Sequence, residues 1–198
     1  MFIYLKSTKF LLISLIVILL NGCSSTNMKD FENKTPKLNL FEFFKGETVA
    51  YGIFEDRFGK LRRQFRVKIK GSVEENTLTL DEKFIYDDGE KATRIWKIKK
   101  IKENNNLIKY EGSADDVEGL ATGTSVGNAL NWTYDIYLNI KGSNLKVKFN
   151  DWIYKQDSNV AINRAYVSKF GIDIGSVTLV FLRGQTAKTV SPLNINSW

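Results

Sequence analysis

Three charged residues stand where a strand would be expected to turn an apolar side chain inward. In Leu61 to Ile69 the alternate positions Leu61, Phe65, Val67 and Ile69 are apolar and Arg63 alone breaks the set. Glu82 interrupts Leu78, Leu80, Phe84 and Tyr86, and Arg94 shares a face with Trp96 and Ile98. If the turn Gly71 to Asn76 pairs Ile69 with Leu78, and the turn Asp87 to Lys91 pairs Tyr86 with Ala92, Glu82 lies diagonal to both arginines, at about 7–8 Å between Cα atoms. Two kinds of chemistry follow. The cluster is a buried triad that satisfies itself. Alternatively, having one more cation than anion, it offers a guanidinium to the carboxylate or phosphate head of an amphipathic ligand whose tail lies among Phe65, Phe84 and Trp96. Tyr134 and Asp151 form a second candidate pair, opposite one another if the Lys141 to Asn144 turn pairs Ile140 with Leu145. A buried carboxylate needs such a donor or must neutralise, so the pair either staples the sheet or places Asp151 in a pocket.

Other chemistry finds less support. There is no histidine, which removes the commonest general base, the usual catalytic triads and most zinc sites. Ser143-Asn144-Leu145-Lys146 has S-x-x-K spacing but straddles a turn and lacks the companion motifs. Gly119, Gly123 and Gly127 match no phosphate-binding loop and suit strands that bend or approach closely. Asp87-Asp88 reads as turn chemistry, and neither it nor Asp115-Asp116 has calcium-loop spacing. No cofactor motif stands out. The basic edge Arg62, Arg66, Lys68 and Lys70 is either a solvated sheet face or a contact for anionic headgroups. Trp96, Trp132 and Trp152 fit a plain core, and an aromatic-lined barrel equally fits a ligand cavity.

The segments that must position these residues follow an export signal. Lys6 and Lys9, the apolar run Phe10 to Leu20 and Asn21-Gly22-Cys23 have the three parts of a bacterial lipoprotein signal, with cleavage before Cys23 and lipidation on it. The run is shorter than the roughly 20 residues a spanning helix needs. Cys23 is the only cysteine, as expected of a lipidation site in an exported chain without disulfides. The formal charge of +7 falls by the two signal lysines, a bias too diffuse for a nucleic-acid reader. A hydrophobic content of 43% with 13% aromatic residues indicates a packed domain rather than a disordered chain.

The expected division is a signal over 1–22, a lipidated N-terminus and flexible tether over 23–37, a domain over 38–182 and a tail over 183–198. Leu38 to Phe44 is a short helix or a first strand. Period-2 alternation then recurs in Val49 to Phe54, Leu61 to Ile69, Leu78 to Tyr86, Thr93 to Ile101, Leu107 to Ala114, Trp132 to Ile140, Leu145 to Ile153, Val160 to Lys169 and Ile172 to Leu182. The small-residue segment Asp115 to Ala129 has no such period. The fold class is all-β: a single antiparallel up-and-down barrel, lipocalin-like, of eight or nine strands. An outer-membrane barrel is disfavoured because the outer edge is Lys and Arg.

Asp56-Arg57 with Gly59, Arg63-Gln64-Phe65, Tyr86-Asp87-Asp88-Gly89-Glu90, Arg94-Ile95-Trp96, Gly112 to Val117, Gly127 to Trp132 with Tyr134, Asp151-Trp152, and Asn163-Arg164 with Ser168 to Gly171 together resemble a known family. It is the proteobacterial lipoprotein family of unknown function numbered 3833. The resemblance spans about Leu38 to Phe181 and implies a Gram-negative envelope lipoprotein with no established activity to transfer. Arg164 joins Arg63, Glu82, Arg94, Trp96, Tyr134 and Asp151 as a candidate ligand-binding residue. The expectation is a monomer anchored through Cys23 on the periplasmic face of the outer membrane, binding a lipid-like envelope molecule. A scaffold with a filled barrel and an envelope protein partner is the alternative, and an enzyme working through carboxylates is a third. Cys23→Ser is expected to release the protein from the membrane fraction without unfolding it, as read by fractionation and circular dichroism; a variant still membrane-bound, from a parent carrying no acyl chain, contradicts the anchor.

Overall fold

The computed structural model describes residues 26–104, 106–140, 143–190 and 193–198. The expected signal and Cys23 lie outside the described residues. A short helix, α1 (Leu40–Phe44), precedes the strands β1 (Gly46–Asp56), β2 (Leu61–Glu74), β3 (Thr77–Tyr86), β4 (Lys91–Asn104), β5 (Leu107–Ser113), β6 (Val117–Val126), β7 (Ala129–Ile140), β8 (Ser143–Lys155), β9 (Val160–Lys169) and β10 (Ile172–Arg183). A last helix, α2 (Gly184–Thr189), follows. Every strand pairs antiparallel with its neighbour in sequence, and β10 returns to β1, with Tyr51 opposite Val180. The sheet is a closed up-and-down barrel, and closure leaves it no edge strand.

This is one strand more than the alternation predicts. The added strand, β6, is built mostly from Gly, Ala, Thr and Ser where a period would show large apolar residues. Its small residues have a packing reason. Trp132 on β7 lies across the inner face, so a Cβ at Gly123 would come within 2.2 Å of its ring and a Cβ at Gly112 on β5 within 2.9 Å. Gly123 sits opposite Trp132 in the ladder. Two glycines thus make room for one indole, which packs edge-on against Trp96 at 5.7 Å between ring centroids.

Three expected registers are corrected, and each correction is an even number of residues. Ile69 faces Glu82 rather than Leu78. Phe84, not Tyr86, faces Ala92, and Ile140 pairs with Ser143 rather than Leu145. Gly71-Ser72 reads as a turn but continues β2, and the reversal comes at Glu75, whose φ is 51°. Gly71 is glycine for a different reason: the Phe44 backbone carbonyl occupies the place of its Cβ. Because side chains alternate with period 2, an even slip keeps each one on its expected face while changing its neighbours.

One end of the barrel is plugged. Asn39 caps α1 by accepting from the Phe41 N–H at 3.0 Å, and Leu40, Phe43 and Phe44 are buried. The Tyr110 hydroxyl accepts from the Leu40 N–H at 3.3 Å and so ties the helix to β5. Residues 26–37, expected as a flexible tether, instead lie along the outside of the wall, where Phe31 packs on Trp152 and Tyr154 at 6.0 and 5.7 Å. Trp152 is therefore buried on the outer face, beneath this segment, and not in the barrel. Of the tail, Ala187 of α2 is buried, and Trp198 lies on the outer face beneath the Arg66 guanidinium. At the other end the turns after β1, β3 and β9 have no helix over them among the described residues.

The glycine notch is testable by denaturant unfolding. Gly123→Ala is expected to cost about 1–3 kcal/mol by overpacking against Trp132. Combined with Trp132→Ala it should cost less than the two changes summed, because they share one space; additive losses would show that Gly123 does not accommodate the indole.

Candidate ligand-binding site

The barrel encloses a cavity of about 410 Å³. Leu40 and Phe44 of α1 form its floor, and Phe65, Phe84, Trp96, Trp132 and Phe149 supply aromatic wall. The rings form two groups. Phe65, Phe84 and Tyr86 contact one another at 5.6–6.2 Å on β2 and β3. Across the interior, Trp96 meets Tyr134 edge-on at 5.2 Å and Tyr134 stacks on Phe149 at 5.3 Å.

Polar groups enter this apolar space at mid-height. Glu82 and Arg94 are direct partners in the β3–β4 ladder. Arg94 donates from Nε and Nη2 to Asp116 Oδ2 at 3.0 and 2.7 Å, and its guanidinium lies 5.9 Å from the Phe84 ring centroid. Asp116 Oδ1 is buried without a hydrogen-bond partner among the described residues. Asp151 lies opposite Trp132, one inward position from Tyr134, whose direct partner is Phe149. The Tyr134 hydroxyl and the Asn163 amide sit beside the Asp151 carboxyl and favour its charged form. Asn163 also donates to the Trp152 carbonyl at 3.3 Å. Glu82 has no hydrogen-bonding partner among the described residues, and its carboxyl faces the cavity.

The candidate residues separate accordingly. Glu82, Arg94, Trp96, Tyr134 and Asp151 all line the cavity. Arg63 lines it only at the mouth: it donates to Asp88 at 2.9 Å and to Glu90, and its guanidinium lies 3.5 Å from the Tyr86 ring centroid. The expected Arg63–Glu82–Arg94 triad is thus corrected, because the slipped β2–β3 register carries Arg63 to the rim. Arg164 is corrected too. It points outward from β9 between inward Asn163 and Ala165, where it donates to Thr178 at 2.5 Å and pairs with Glu55 at 3.4 Å. Sequence reasoning missed Asp116, which holds Arg94 from outside the cavity lining, and Asn163, which lines it. The first stands in a segment without period, and the second breaks an otherwise apolar inward set in β9, a signal of the same kind that pointed to Glu82.

Burial sets the protonation of the site. Desolvation pushes Glu82 up to about 7; Arg94 opposes the rise, while Asp116 and Asp151 add to it. Burial likewise raises Asp151 to about 7 against the pull of Tyr134, Asn163 and Arg94. For Arg94, burial disfavours the charge but Tyr134, Glu82 and Asp116 outweigh it, so the guanidinium stays protonated. Tyr134 is held neutral by burial and by Asp151.

A closed up-and-down barrel with an internal cavity lined by rings around a few polar groups is a lipocalin-like architecture, compatible with binding a small molecule. The chain belongs to the family of proteins of unknown function DUF3833, whose model matches residues 17–183. No curated protein sequence matches it. Among solved structures it is similar to the S-type phycobiliprotein lyase CPES from Guillardia theta, with a TM-score of 0.55 at 10% identity, covering 81% of this chain and 98% of that one. A de novo designed fluorescence-activating β-barrel matches with a TM-score of 0.40 at 10% identity, over 74% of this chain and 99% of that one. The likeness to the lyase is one of fold.

A pH dependence follows from the raised carboxyls. Their folded pKa values exceed the ordinary 4.5 of Glu82 and 3.8 of Asp151, so the native state binds protons more tightly than the unfolded chain. The stability they contribute is complete below the ordinary values and is lost as pH rises through about 7, at roughly 1.4 kcal/mol per pH unit for each group in between. Chemical denaturation of the ligand-free protein should give a midpoint that falls between about pH 5 and about pH 8, and Glu82→Gln should flatten the fall. An unchanged slope in Glu82→Gln would show that this carboxyl is solvated or ion-paired.

Proposed function

We propose that this protein is a lipid-anchored envelope protein that binds an apolar or amphipathic small molecule inside its barrel. The observation that carries the reading is the cavity of about 410 Å³ inside the barrel, a size typical of small-molecule sites. A filled interior would have favoured a scaffold. The anchor and the outer-membrane location rest on the signal pattern ending at Cys23. A domain tethered to a bilayer has lipid-like molecules at hand, and a barrel with an apolar interior shields such a molecule from water. Placement of Leu40 and Phe44 across the floor leaves the end with the uncovered turns as the entrance.

Acid–base catalysis is the second reading. It is favoured by two carboxyls that titrate near neutrality and face one cavity. The two readings differ in what becomes of the bound molecule: a carrier returns it unchanged on extraction, whereas an enzyme returns a product.

Binding is tested with a neutral environment-sensitive naphthylamine dye in titrations of the purified domain. The dye should brighten on binding, and Leu179→Trp, which fills the cavity from β10, should weaken it by about tenfold or more. Lys68→Glu on the outer face should leave it unchanged. Equal binding by Leu179→Trp, folded by its melting curve, would place the dye outside the barrel and overturn the reading.

A further inference from the structure

The charges inside the barrel do not balance. Among the described residues Arg94 is the one cation at mid-height, and it is held by Asp116 through two hydrogen bonds. Glu82 and Asp151 remain on the cavity wall, while Asp116, outside the lining and about a third exposed, keeps its own Oδ1 unpartnered among the described residues. Two cavity carboxyls therefore share one guanidinium whose strongest contacts are already made. The excess is of acceptors, the opposite of the +1 expected of the Arg63, Glu82 and Arg94 cluster. A ligand carboxylate or phosphate placed here would meet Glu82 and Asp151, and Arg94 has its strongest contacts already made.

The two remaining carboxyls are not equivalent. Asp151 has the Tyr134 hydroxyl and the Asn163 amide beside it. Glu82 has neither and is left facing the cavity. Around them stand the Trp96, Tyr134 and Phe149 rings, whose faces carry negative partial charge and attract cations. Carboxylate and aromatic surface together form the combination that recognises organic ammonium groups.

We propose that the cavity selects an amphipathic amine, its protonated nitrogen held by Glu82 with Asp151 close by and its apolar chain lying along the aromatic wall toward Leu40 and Phe44. This rests on the barrel being a ligand site. A single ammonium offsets one of the two surplus carboxyls, and the other keeps the donors of Tyr134 and Asn163. Among the described residues no other charge competes on the facing strands. Arg63 and Tyr86 lie at the mouth, where Arg63 is engaged by Asp88 and Glu90, and β1, β9 and β10 line the cavity with apolar residues apart from Asn163.

The test is calorimetric titration of the folded domain with decylamine, decanol and decanoate, each below its micelle concentration. These share one chain and differ in the head. Decylamine should bind about tenfold or more tighter than decanol, with decanoate weakest. Glu82→Gln should collapse the ratio of decylamine to decanol toward unity. The preference for amine should also shrink from about pH 8 to about pH 5.5, as Glu82 and Asp151 take up protons while the amine keeps its charge. If decanoate binds best, or if decanol equals decylamine in the unmodified protein, the amine assignment is overturned and the cavity reading stands. If none of the three binds while the protein is folded, the cavity reading fails and takes this inference with it. An amine preference that survives Glu82→Gln undiminished overturns the role of Glu82.

Discussion

Two carboxyls on the wall of a largely apolar cavity, sharing one guanidinium that Asp116 already holds, is the constraint on which the rest of this structure turns. Charge in such a place is costly unless it is paired, and unpaired carboxyls answer by holding their protons. Glu82 and Asp151 do so, with pKa values raised to about 7. A protein gains no stability from that arrangement that an apolar core would not give it more readily. Its persistence is explained if the carboxyls meet a cationic partner that enters from outside the chain.

The barrel is built to keep that space open. A closed sheet of ten strands has an interior wide enough to leave a void once its side chains are placed. Part of the interior is filled by design of the sequence: Gly112 and Gly123 give up their side chains so that Trp132 can lie across two strands. The floor is filled by α1, brought close enough that only glycine fits at Gly71. The cavity lies between that floor and the ring of turns at the other end. The packed outer layer of residues 26–37 leaves the interior untouched, since Phe31 sits against Trp152 and Tyr154 on the outside of the wall.

Much of this is legible in the chain. The alternation in β3, β4, β7 and β8 decides which side chains point inward, and Glu82, Arg94, Trp96, Tyr134 and Asp151 all do. Facing tolerates the errors of register because each slip is even, and an even slip moves a residue along its face and never across the sheet. Neighbours do not tolerate them. Arg63 is expected diagonal to Glu82 and lies at the rim, because Gly71-Ser72 continues a strand that its composition would end. Arg164 shows the opposite weakness: the motif it stands in carries no facing information, and the alternation of β9 puts it outside. The sign of the interior is missed because Arg63 moves to the rim: without it, Glu82 and Asp151 outnumber Arg94 on the cavity wall. Asp116 itself lies just before β6, whose small residues obey the bulk of Trp132 and carry no period of their own.

Glu82 and Asp151 thus stand as uncompensated carboxyls able to receive a cation. Carbon-13 NMR of the carboxyl carbons, with aspartate and glutamate labelled and Glu82→Gln and Asp151→Asn used for assignment, measures this directly. In the ligand-free domain both carboxyls should titrate near 7, well above the ordinary 4.5 and 3.8, and both should fall when decylamine is bound. Titration of both groups at ordinary values in the ligand-free barrel, unmoved by the amine, would mean that they are already solvated or paired, and the account would be wrong.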